Sequence, residues 1–329
     1  MLNGMKNKGI VIFLIVLGLG IVAIIAVEFI SNRPDNRSGN PFEYSVEEFK
    51  NVPDELIAYK ETRNFNIGFE EPAGIAVANS RIYLAGDRSL KIIDFSGNLL
   101  LEITLSGAPK TVEIFNENIY LVVDNKILIY DSAGNLLKEW AHPGENSIIT
   151  SIAAADSFVF VADAGNRRIL KYSNEGELTG QFEGKANAEQ LHGFIIPSPY
   201  FDIDINNYND FWAVNPGLHR LENYTFDGEM RGFWETSGVK LEGFSGCCNP
   251  AHFTFLDDGR FVTSEKGLVR IKIYKPSGEF EAVVAAPKRF TDEGEAPDIA
   301  TDSTGKVYAL DFDKKIVRVF EPKTNPKGV

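Results

Sequence analysis

The chain has 329 residues, and its 46 Asp and Glu residues outnumber its 33 Lys and Arg residues, which gives a formal net charge of −13. Nucleic-acid binding depends on clustered Lys and Arg, so this balance excludes a protein that holds a phosphate backbone, and we expect no nucleic-acid partner. The chain has two cysteines, which excludes a disulfide-stapled miniprotein and a four-cysteine zinc module.

The N-terminal 30 residues predict a membrane anchor. Residues 1–8 carry Lys6 and Lys8, and the run from 9 to 27 contains no charged side chain. At a rise of about 1.5 Å per residue, this run is long enough to cross a hydrocarbon layer roughly 30 Å thick. A cleaved signal peptide is the alternative, but its apolar region is about 7–15 residues long and ends at a small-x-small site. We therefore predict a transmembrane anchor at 9–30.

The lysines precede the apolar run, so the positive-inside rule predicts a cytoplasmic N-terminus at 1–8 and an extracytoplasmic location for everything after the anchor. Residues 31–54 begin with SNRPDNRSGN, a composition typical of a flexible tether. The predicted location is that of a single-pass membrane protein whose soluble part is periplasmic or on the cell surface. The membrane is thus one expected partner.

A repeat of about 40–50 residues organises the remainder of the chain. In five of the units, a short β-rich run is followed by a turn with a glycine and then by a second β-rich run. The glycines are Gly97, Gly134, Gly176, Gly228 and Gly278. Six units of strand, turn, strand, loop, strand, turn and strand follow one another with no helical period between them. Repeats of this length with four antiparallel strands are blades of a propeller.

The predicted fold is therefore all-β: a six-bladed β-propeller of four-stranded antiparallel blades over residues 55–323, with a C-terminal tail at 324–329. The sixth unit ends after its third strand. We predict that residues 55–67 supply its fourth strand, because joining the two ends of the chain in one sheet removes open sheet edges.

The stretch VADAGNRRILKY at 161–172 resembles the signature of NHL repeats, and LAGDRSLKIIDF and ALDFDKKIVRVF are weaker variants of it. The resemblance implies a six-bladed propeller of the membrane-anchored bacterial or archaeal type. It implies little about activity, because NHL propellers include scaffolds, RNA binders, lyases and receptor ectodomains. The RNA-binding members use basic faces, whereas this chain is acidic.

In a propeller with this strand order, the fourth-to-first and second-to-third strand loops share one face. All histidines and cysteines of the chain are predicted to lie on that loop-rich face: His142, His192, His219, His252, Cys247 and Cys248. Six aligned first-strand positions are predicted to ring the mouth of the central channel: Gly74, Thr111, Ser151, Asp202, His252 and Asp298.

A histidine between two carboxylates, as in Asp202, His252 and Asp298, is typical of a metal site or of a general base with an orienting partner. A hydrogen-bonded rim around channel water is the alternative interpretation. A catalytic zinc site needs about three protein ligands and an open position, and His192, His219 and His252 are the candidates for it. NHL-type lyases that cleave hydroxyglycine derivatives use a histidine-bound zinc in such a channel, but no histidine spacing here identifies individual ligands. 

Calcium is the second candidate metal at the channel mouth, because NNYND at 206–210 and DFDKK at 311–315 are rich in oxygen ligands. Neither run has the full EF-hand pattern.

The segment FSGCCNPAHF at 244–253 contains both cysteines side by side. Adjacent Cα atoms are about 3.8 Å apart, below the roughly 4.4–6.8 Å of ordinary disulfides. Three states are compatible with this spacing: a vicinal disulfide, free thiols, or a soft-metal ligand pair together with His252. Tyr200 and Phe201, which follow IIPSP, are candidates for surface contacts.

Two functions follow from these patterns. The first is a membrane-tethered module that binds a small-molecule ligand or a protein through the loop-rich face around blades four and five, with Tyr200, Asp202, Cys247, Cys248, His252 and Asp298 as the binding residues. The second is a metal-dependent extracytoplasmic lyase or hydrolase with its site at Asp202, His252 and Asp298. No catalytic residue is assigned, since a propeller fold by itself does not imply catalysis.

Overall fold

The structure is a computed structural model that describes residues 12–23, 46–141, 143–185 and 193–323. The chain divides into two compact units, Met1–Ser45 and Val46–Val329. In the first unit the described residues form one helix, 12–23. Among the described residues, no helix is both long enough and apolar enough to cross a membrane. The predicted cytoplasmic segment 1–8, the rest of the predicted anchor, the part of the predicted tether at 31–45 and the tail at 324–329 lie outside the described residues.

The second unit is a propeller of six four-stranded antiparallel sheets, so the predicted fold is confirmed. Four short 3-10 helices accompany the described strands: Val46–Lys50, Asp54–Leu56, Pro216–Leu218 and Pro287–Arg289. The strands in chain order are β1 (Tyr59–Asn66), β2 (Pro72–Ala78), β3 (Arg81–Gly86), β4 (Ser89–Asp94), β5 (Leu99–Thr104), β6 (Pro109–Phe115), β7 (Asn118–Val123), β8 (Lys126–Tyr130), β9 (Leu136–Trp140), β10 (Ile149–Ala154), β11 (Phe158–Asp163), β12 (Arg168–Ser173), β13 (Leu178–Phe182), β14 (Ile203–Ile205), β15 (Phe211–Asn215), β16 (Arg220–Tyr224), β17 (Met230–Glu235), β18 (His252–Phe255), β19 (Phe261–Glu265), β20 (Arg270–Tyr274), β21 (Phe280–Ala285), β22 (Asp298–Thr301), β23 (Val307–Asp311) and β24 (Ile316–Pro322).

Blades one to five contain consecutive strands: β2–β5, β6–β9, β10–β13, β14–β17 and β18–β21. Blade six contains β22, β23, β24 and β1, because the N-terminal strand β1 pairs antiparallel with β24. The first strand of each blade lines the centre. We call the end of the ring with the fourth-to-first and second-to-third loops the upper face, and the opposite end the lower face.

Hairpin turns between the third and fourth strands lie on the lower face. The five predicted turn glycines all have a left-handed backbone, with φ between 84° and 88°, a conformation that costs glycine little because it has no Cβ. At Gly278 a Cβ would also lie 2.5 Å from Cγ of Trp234 in the preceding blade. Glycine at position 278 is thus required both by the packing between blades four and five and by the left-handed backbone of the hairpin turn.

The hydrophobic core lies between neighbouring blades. Successive side chains of a strand point to opposite faces of its sheet. In β7, Ile119, Leu121 and Val123 pack against blade one, while Tyr120 and Val122 pack against blade three. Six such clusters, one for each pair of adjacent blades, continue around the ring through the junction of blades six and one. The ring of apolar contacts is therefore closed, and it fixes the inner strands around the channel.

A charged contact accompanies the closing strand. Glu61 of β1 accepts hydrogen bonds from Arg318 of β24, at 2.6 Å between Nη2 and Oε2 and 3.2 Å between Nε and Oε1. Arg318 also donates to Asp311 at 3.2 Å. Burial acts to raise the pKa of Glu61, but the hydrogen bonds from Arg318 and Asn64 outweigh it and lower that pKa. The ionised pair therefore favours the closed ring.

Candidate functional site

Six equivalent residues near the beginning of the innermost strands form a ring at the upper end of the channel. Each of these residues pairs with the next-to-last residue of the second strand in its own blade, as the alignment of the six units predicts. The ring contains Gly74, Thr111, Ser151, Asp202, His252 and Asp298. Ionisable side chains come only from blades four to six, so the ring is strongly polar on one side.

Both ring carboxylates connect neighbouring blades. Asp202 Oδ2 accepts a hydrogen bond from the backbone N–H of Phe253 in blade five at 2.9 Å. Asp298 Oδ2 accepts one from the backbone N–H of Ile75 in blade one, also at 2.9 Å. Their other oxygens accept from the N–H of the next residue, Ile203 or Ile299. These contacts fit the hydrogen-bonded rim, and they hold both carboxylates in fixed positions.

His252 lies between these two carboxylates. Its Nδ1 is 3.8 Å from Asp202 Oδ2 and 3.8 Å from Asp298 Oδ1, too far for a hydrogen bond but close enough for charge attraction. Nε2 is buried and has no hydrogen-bond partner among the described residues. A buried polar atom in a native protein normally has a partner. Nε2 of His252 therefore has a hydrogen-bonding capacity that no described residue uses.

The protonation of the ring depends on burial. Burial raises the pKa of Asp202, and His252 opposes part of that shift. Burial raises the pKa of Asp298 to about 6, with His252 opposing the shift and Asp202 adding to it. A carboxyl group whose pKa is about 6, such as Asp298, can give up or take up a proton near neutral pH. The ring thus has the chemistry of an acid–base centre or of a hydrogen-bonding site.

Two further carboxyl groups lie deeper in the channel, and the sequence analysis did not predict them. Glu113 of β6 and Asp204 of β14 are two residues beyond Thr111 and Asp202 of the first ring. Burial and then the charge of Asp202 raise the pKa of Asp204 to about 7. Burial and then Asp204 raise the pKa of Glu113 well above its ordinary value. The sequence signal for these two carboxyl groups is the two-residue period of a strand, which puts Glu113 and Asp204 on the same channel side as Thr111 and Asp202.

The channel contains a cavity of about 460 Å³ between the six innermost strands. Asp202 and Asp298 line its upper part, and turns at 79–80, 206–207 and 302–304 line its lower part. His252 is not a lining residue. The cavity thus extends from the carboxylates towards the lower face, whereas the sequence predicted a site on the loop-rich upper face.

The cysteine loop and Tyr200 lie together on the upper face. The Sγ atoms of Cys247 and Cys248 are 3.2 Å apart as free thiols; Cys247 is exposed and Cys248 is buried. The ring of Tyr200 lies edge-on to the imidazole of His252 at 5.8 Å between centroids. Lys266 Nζ is 4.7 Å above the Tyr200 ring. Burial raises the pKa of Tyr200, as do Glu295 and Cys248 nearby.

Phe201 does not contribute to this surface. It is 1% exposed and packs on Phe194 at 4.7 Å between ring centroids, so the predicted surface role of Phe201 is wrong. The side chain points into the core between blades three and four, because the strand period that turns Tyr200 and Asp202 towards the upper mouth turns Phe201 the other way.

Of the three candidate zinc ligands, the structure describes His219 and His252. His219 Nδ1 donates a hydrogen bond to the backbone carbonyl of Asn249 at 2.9 Å, and His142 and His192 lie outside the described residues. No group of three His, Cys, Asp or Glu side chains within the described ranges could hold a metal ion. Asn206 Oδ1 accepts hydrogen bonds from the N–H groups of Tyr208 and Asp210, which accounts for the NNYND run as a turn.

A buried charge cluster holds the loop that carries the cysteines. Glu265, Arg270 and Lys272 are each 0% exposed. Glu265 Oε1 lies 2.8 Å from Arg270 Nε and 2.7 Å from Lys272 Nζ. Both cations also donate to the carbonyl of Gly243, at 2.8 Å each, and Glu265 Oε2 accepts from the N–H of Ser245 at 3.0 Å. These bonds satisfy the buried charges and fix the loop just before Cys247.

The comparisons with known proteins support the fold. Neither protein-family models nor curated protein sequences give a match. Among solved structures, a Bacteroides thetaiotaomicron protein of unknown function is 14% identical, with a TM-score of 0.60 over 80% of this chain and 76% of that one. A streptogramin B lyase is 14% identical, with a TM-score of 0.57 over 80% of this chain and 98% of that one.

Virginiamycin B lyase from Staphylococcus aureus is 15% identical, with a TM-score of 0.54 over 80% of this chain and 100% of that one. Identities this low show a shared propeller fold and carry no statement about activity. The NHL resemblance is not confirmed, because no family model matches.

Proposed function

We propose that the protein is a binding module whose ligand site is the part of the upper face formed by Tyr200, His252, Lys266 and the cysteine loop. The observation that carries the proposal is the buried Nε2 of His252, which has no hydrogen-bond partner among the described residues. The imidazole of His252 is 5.8 Å from the Tyr200 ring between centroids, and Lys266 Nζ is 4.7 Å from the centroid of that same tyrosine ring. Unsatisfied polar atoms among aromatic and charged side chains are typical of a small-molecule site.

Rigidity supports the same proposal. The Asp202 and Asp298 hydrogen bonds fix the strand ends on both sides of His252, and the Glu265 cluster fixes the loop with the two cysteines. A site whose groups are held in place before binding loses less conformational entropy when the ligand arrives. The expected ligand presents one hydrogen-bonding group to His252 and a planar or apolar surface to Tyr200.

A thermal-shift screen of a chemically diverse small-molecule panel tests the proposal. A ligand at 100 times its Kd stabilises the folded protein by about 2.7 kcal/mol. Compounds that raise the Tm of the wild type should lose this effect in Tyr200→Ala and in His252→Gln. They should keep it in Tyr208→Ala, a matched control because Tyr208 is 64% exposed on the lower face. Ligands that bind all three variants equally would refute the proposed site.

Replacing both cysteines by serine tests the contribution of their loop. Unchanged thermal stability together with unchanged ligand binding would exclude the loop from the site. The metal-dependent lyase or hydrolase is less favoured, because no metal-ligand group is formed by the residues that the structure describes. Elemental analysis of the purified protein that finds stoichiometric zinc or calcium would reverse this preference.

We also propose that the propeller is of the NHL type. In the stretch VADAGNRRILKY, Asp163 accepts hydrogen bonds from Ser147 Oγ at 2.9 Å, Asn166 Nδ2 at 2.8 Å and Arg168 Nε at 3.0 Å. The motif thus ties the loop before blade three to the second and third strands of that blade. This gives the resemblance a structural reason.

Residues 9–30 are proposed to anchor the propeller outside the cytoplasmic membrane, on the strength of their apolar length and the preceding lysines. The only cysteines of the chain are Cys247 and Cys248, and Cys247 is exposed. A membrane-impermeant maleimide, applied to intact cells after mild reduction, should therefore label the protein. Labelling that requires permeabilised cells would refute this topology.

A further inference from the structure

The two adjacent thiols form an asymmetric pair. Cys247 is exposed, whereas Cys248 is 1% exposed, and their Sγ atoms are 3.2 Å apart. The chain has no third cysteine. Within one molecule a disulfide can therefore form only between these two residues, and only one of them is accessible to a reagent in solution.

The loop is held on both sides of the pair. Before it, Ser245 donates its N–H to Glu265 at 3.0 Å, and the carbonyl of Gly243 accepts from two buried cations. After it, the side chain of Asn249 donates to the carbonyl of Lys266 at 3.1 Å and accepts from the N–H of Lys266 at 2.9 Å. These anchors fix both ends of the loop, in which the two Sγ atoms lie 3.2 Å apart.

A bond between adjacent cysteines is strained, because Cα atoms about 3.8 Å apart are closer than the roughly 4.4–6.8 Å of ordinary disulfides. Strained disulfides are reduced more easily than structural ones, and they are the labile or reactive kind. The pair therefore has the properties of a reversible redox centre rather than those of a permanent cross-link.

We propose that Cys247 and Cys248 are a thiol–disulfide exchange site whose substrates are low-molecular-weight disulfides, R–S–S–R. Cys247 loses its proton, and its sulfur attacks one sulfur of the substrate; a Cys247–S–S–R bond forms, and the first R–S⁻ leaves and takes up a proton. Cys248 then loses its proton and attacks Cys247 Sγ, which forms the Cys247–Cys248 bond and releases the second R–S⁻. Two electrons pass from the dithiol to the substrate, which leaves as two R–SH.

The surroundings determine how this reaction depends on pH. The hydrogen bond with Cys248 raises the pKa of Cys247, and the positive charge of Lys266 opposes part of that shift. Because the thiolate is the attacking species, the rate should rise with pH through the alkaline range. Lys266→Met should slow the reaction at neutral pH, because it removes the nearby cation.

The test uses the full chain in detergent, reduced and then incubated with oxidised glutathione. At intervals the reaction is quenched with N-ethylmaleimide and measured by intact mass. In the wild type, both thiols should become unavailable to N-ethylmaleimide together. The product should be two hydrogen masses lighter than the reduced protein and should carry no lasting glutathione adduct. Cys248→Ser should retain one glutathione on Cys247. Cys247→Ser should react at least about tenfold more slowly, because its remaining thiol is buried.

Added dithiothreitol should restore both thiols of the wild type. A wild type that keeps both thiols at every ratio of oxidised to reduced glutathione would overturn the proposal. So would a lasting mixed disulfide, or covalent dimers as the main product. Circular dichroism of the serine variants verifies that they remain folded. The ligand screen described above is independent of this reaction, so the two proposals can fail separately.

Discussion

Replacing Asp204 by asparagine tests the electrostatics of the channel directly. In the folded protein the pKa of this carboxyl is raised from 3.8 to about 7, because the group is buried in the channel and Asp202 lies two residues away on the same side. The unfolded chain loses the same proton near the ordinary value. Between these two pKa values the folded protein binds more protons than the unfolded one, so this group stabilises the fold less and less as the pH rises.

The size of the effect follows from the shift. One pKa unit corresponds to about 1.4 kcal/mol, so a shift of about three units costs up to about 4 kcal/mol above pH 7. Glu113 lies in the same channel and interacts with Asp204, so the two carboxyl groups titrate as a pair. Part of this free-energy cost therefore belongs to Glu113. We expect Asp204→Asn to be about 1–3 kcal/mol more stable than the wild type at pH 8 and nearly equal to it at pH 4.

Urea denaturation followed by tryptophan fluorescence at pH 4, 6 and 8 measures this difference. Asp54→Asn is the matched control, because Asp54 is exposed and lies outside the channel. Other carboxyl groups titrate in both proteins, so the difference between wild type and variant isolates Asp204. If Asp204→Asn is less stable than the wild type at pH 8, the carboxylate is favoured in its ionised form and the reasoning fails.

Two further substitutions test the closure of the ring and the turns. Glu61→Gln should lower the free energy of unfolding by about 2–4 kcal/mol, because it leaves the buried guanidinium of Arg318 with one carboxylate instead of two; urea denaturation measures it, and a loss below 0.5 kcal/mol would contradict the assigned role. Gly278→Ala should cost about 2–4 kcal/mol, because φ is +84° and the added Cβ meets Trp234 at 2.5 Å. The control Gly232→Ala, where a Cβ meets nothing within 4 Å, should be neutral or slightly stabilising, and equal losses at both glycines would refute the packing explanation.

The ring at the channel mouth could be predicted because it depends on local register. In each blade, the polar turn after the first strand determines the register of that strand. Because successive side chains of a strand point to opposite sides, the register then determines which side chains face the centre of the channel. Asp202, His252 and Asp298 come together for this reason. The same period points to Glu113 and Asp204, which could have been found by continuing the alignment two residues further.

The buried cluster of Glu265, Arg270 and Lys272 could not be predicted in this way. In the sequence these residues resemble an ordinary charged strand, and alternation alone favours exposure of charged side chains. They are buried because the long connection between blades four and five folds over them and supplies backbone carbonyls as hydrogen-bond acceptors. Which connection covers which strand is a property of the three-dimensional packing.

The sequence by itself determined the acidic charge, the repeat and the number of blades, because turn glycines and alternating apolar residues act over a few neighbouring positions. It also determined which face carries the cysteines. Tertiary structure alone decided that the cavity extends towards the lower face, that His252 Nε2 lacks a partner among the described residues, and that the thiols lie 3.2 Å apart on a clamped loop. These features depend on contacts between residues far apart in the chain, and local patterns contain no information about such contacts.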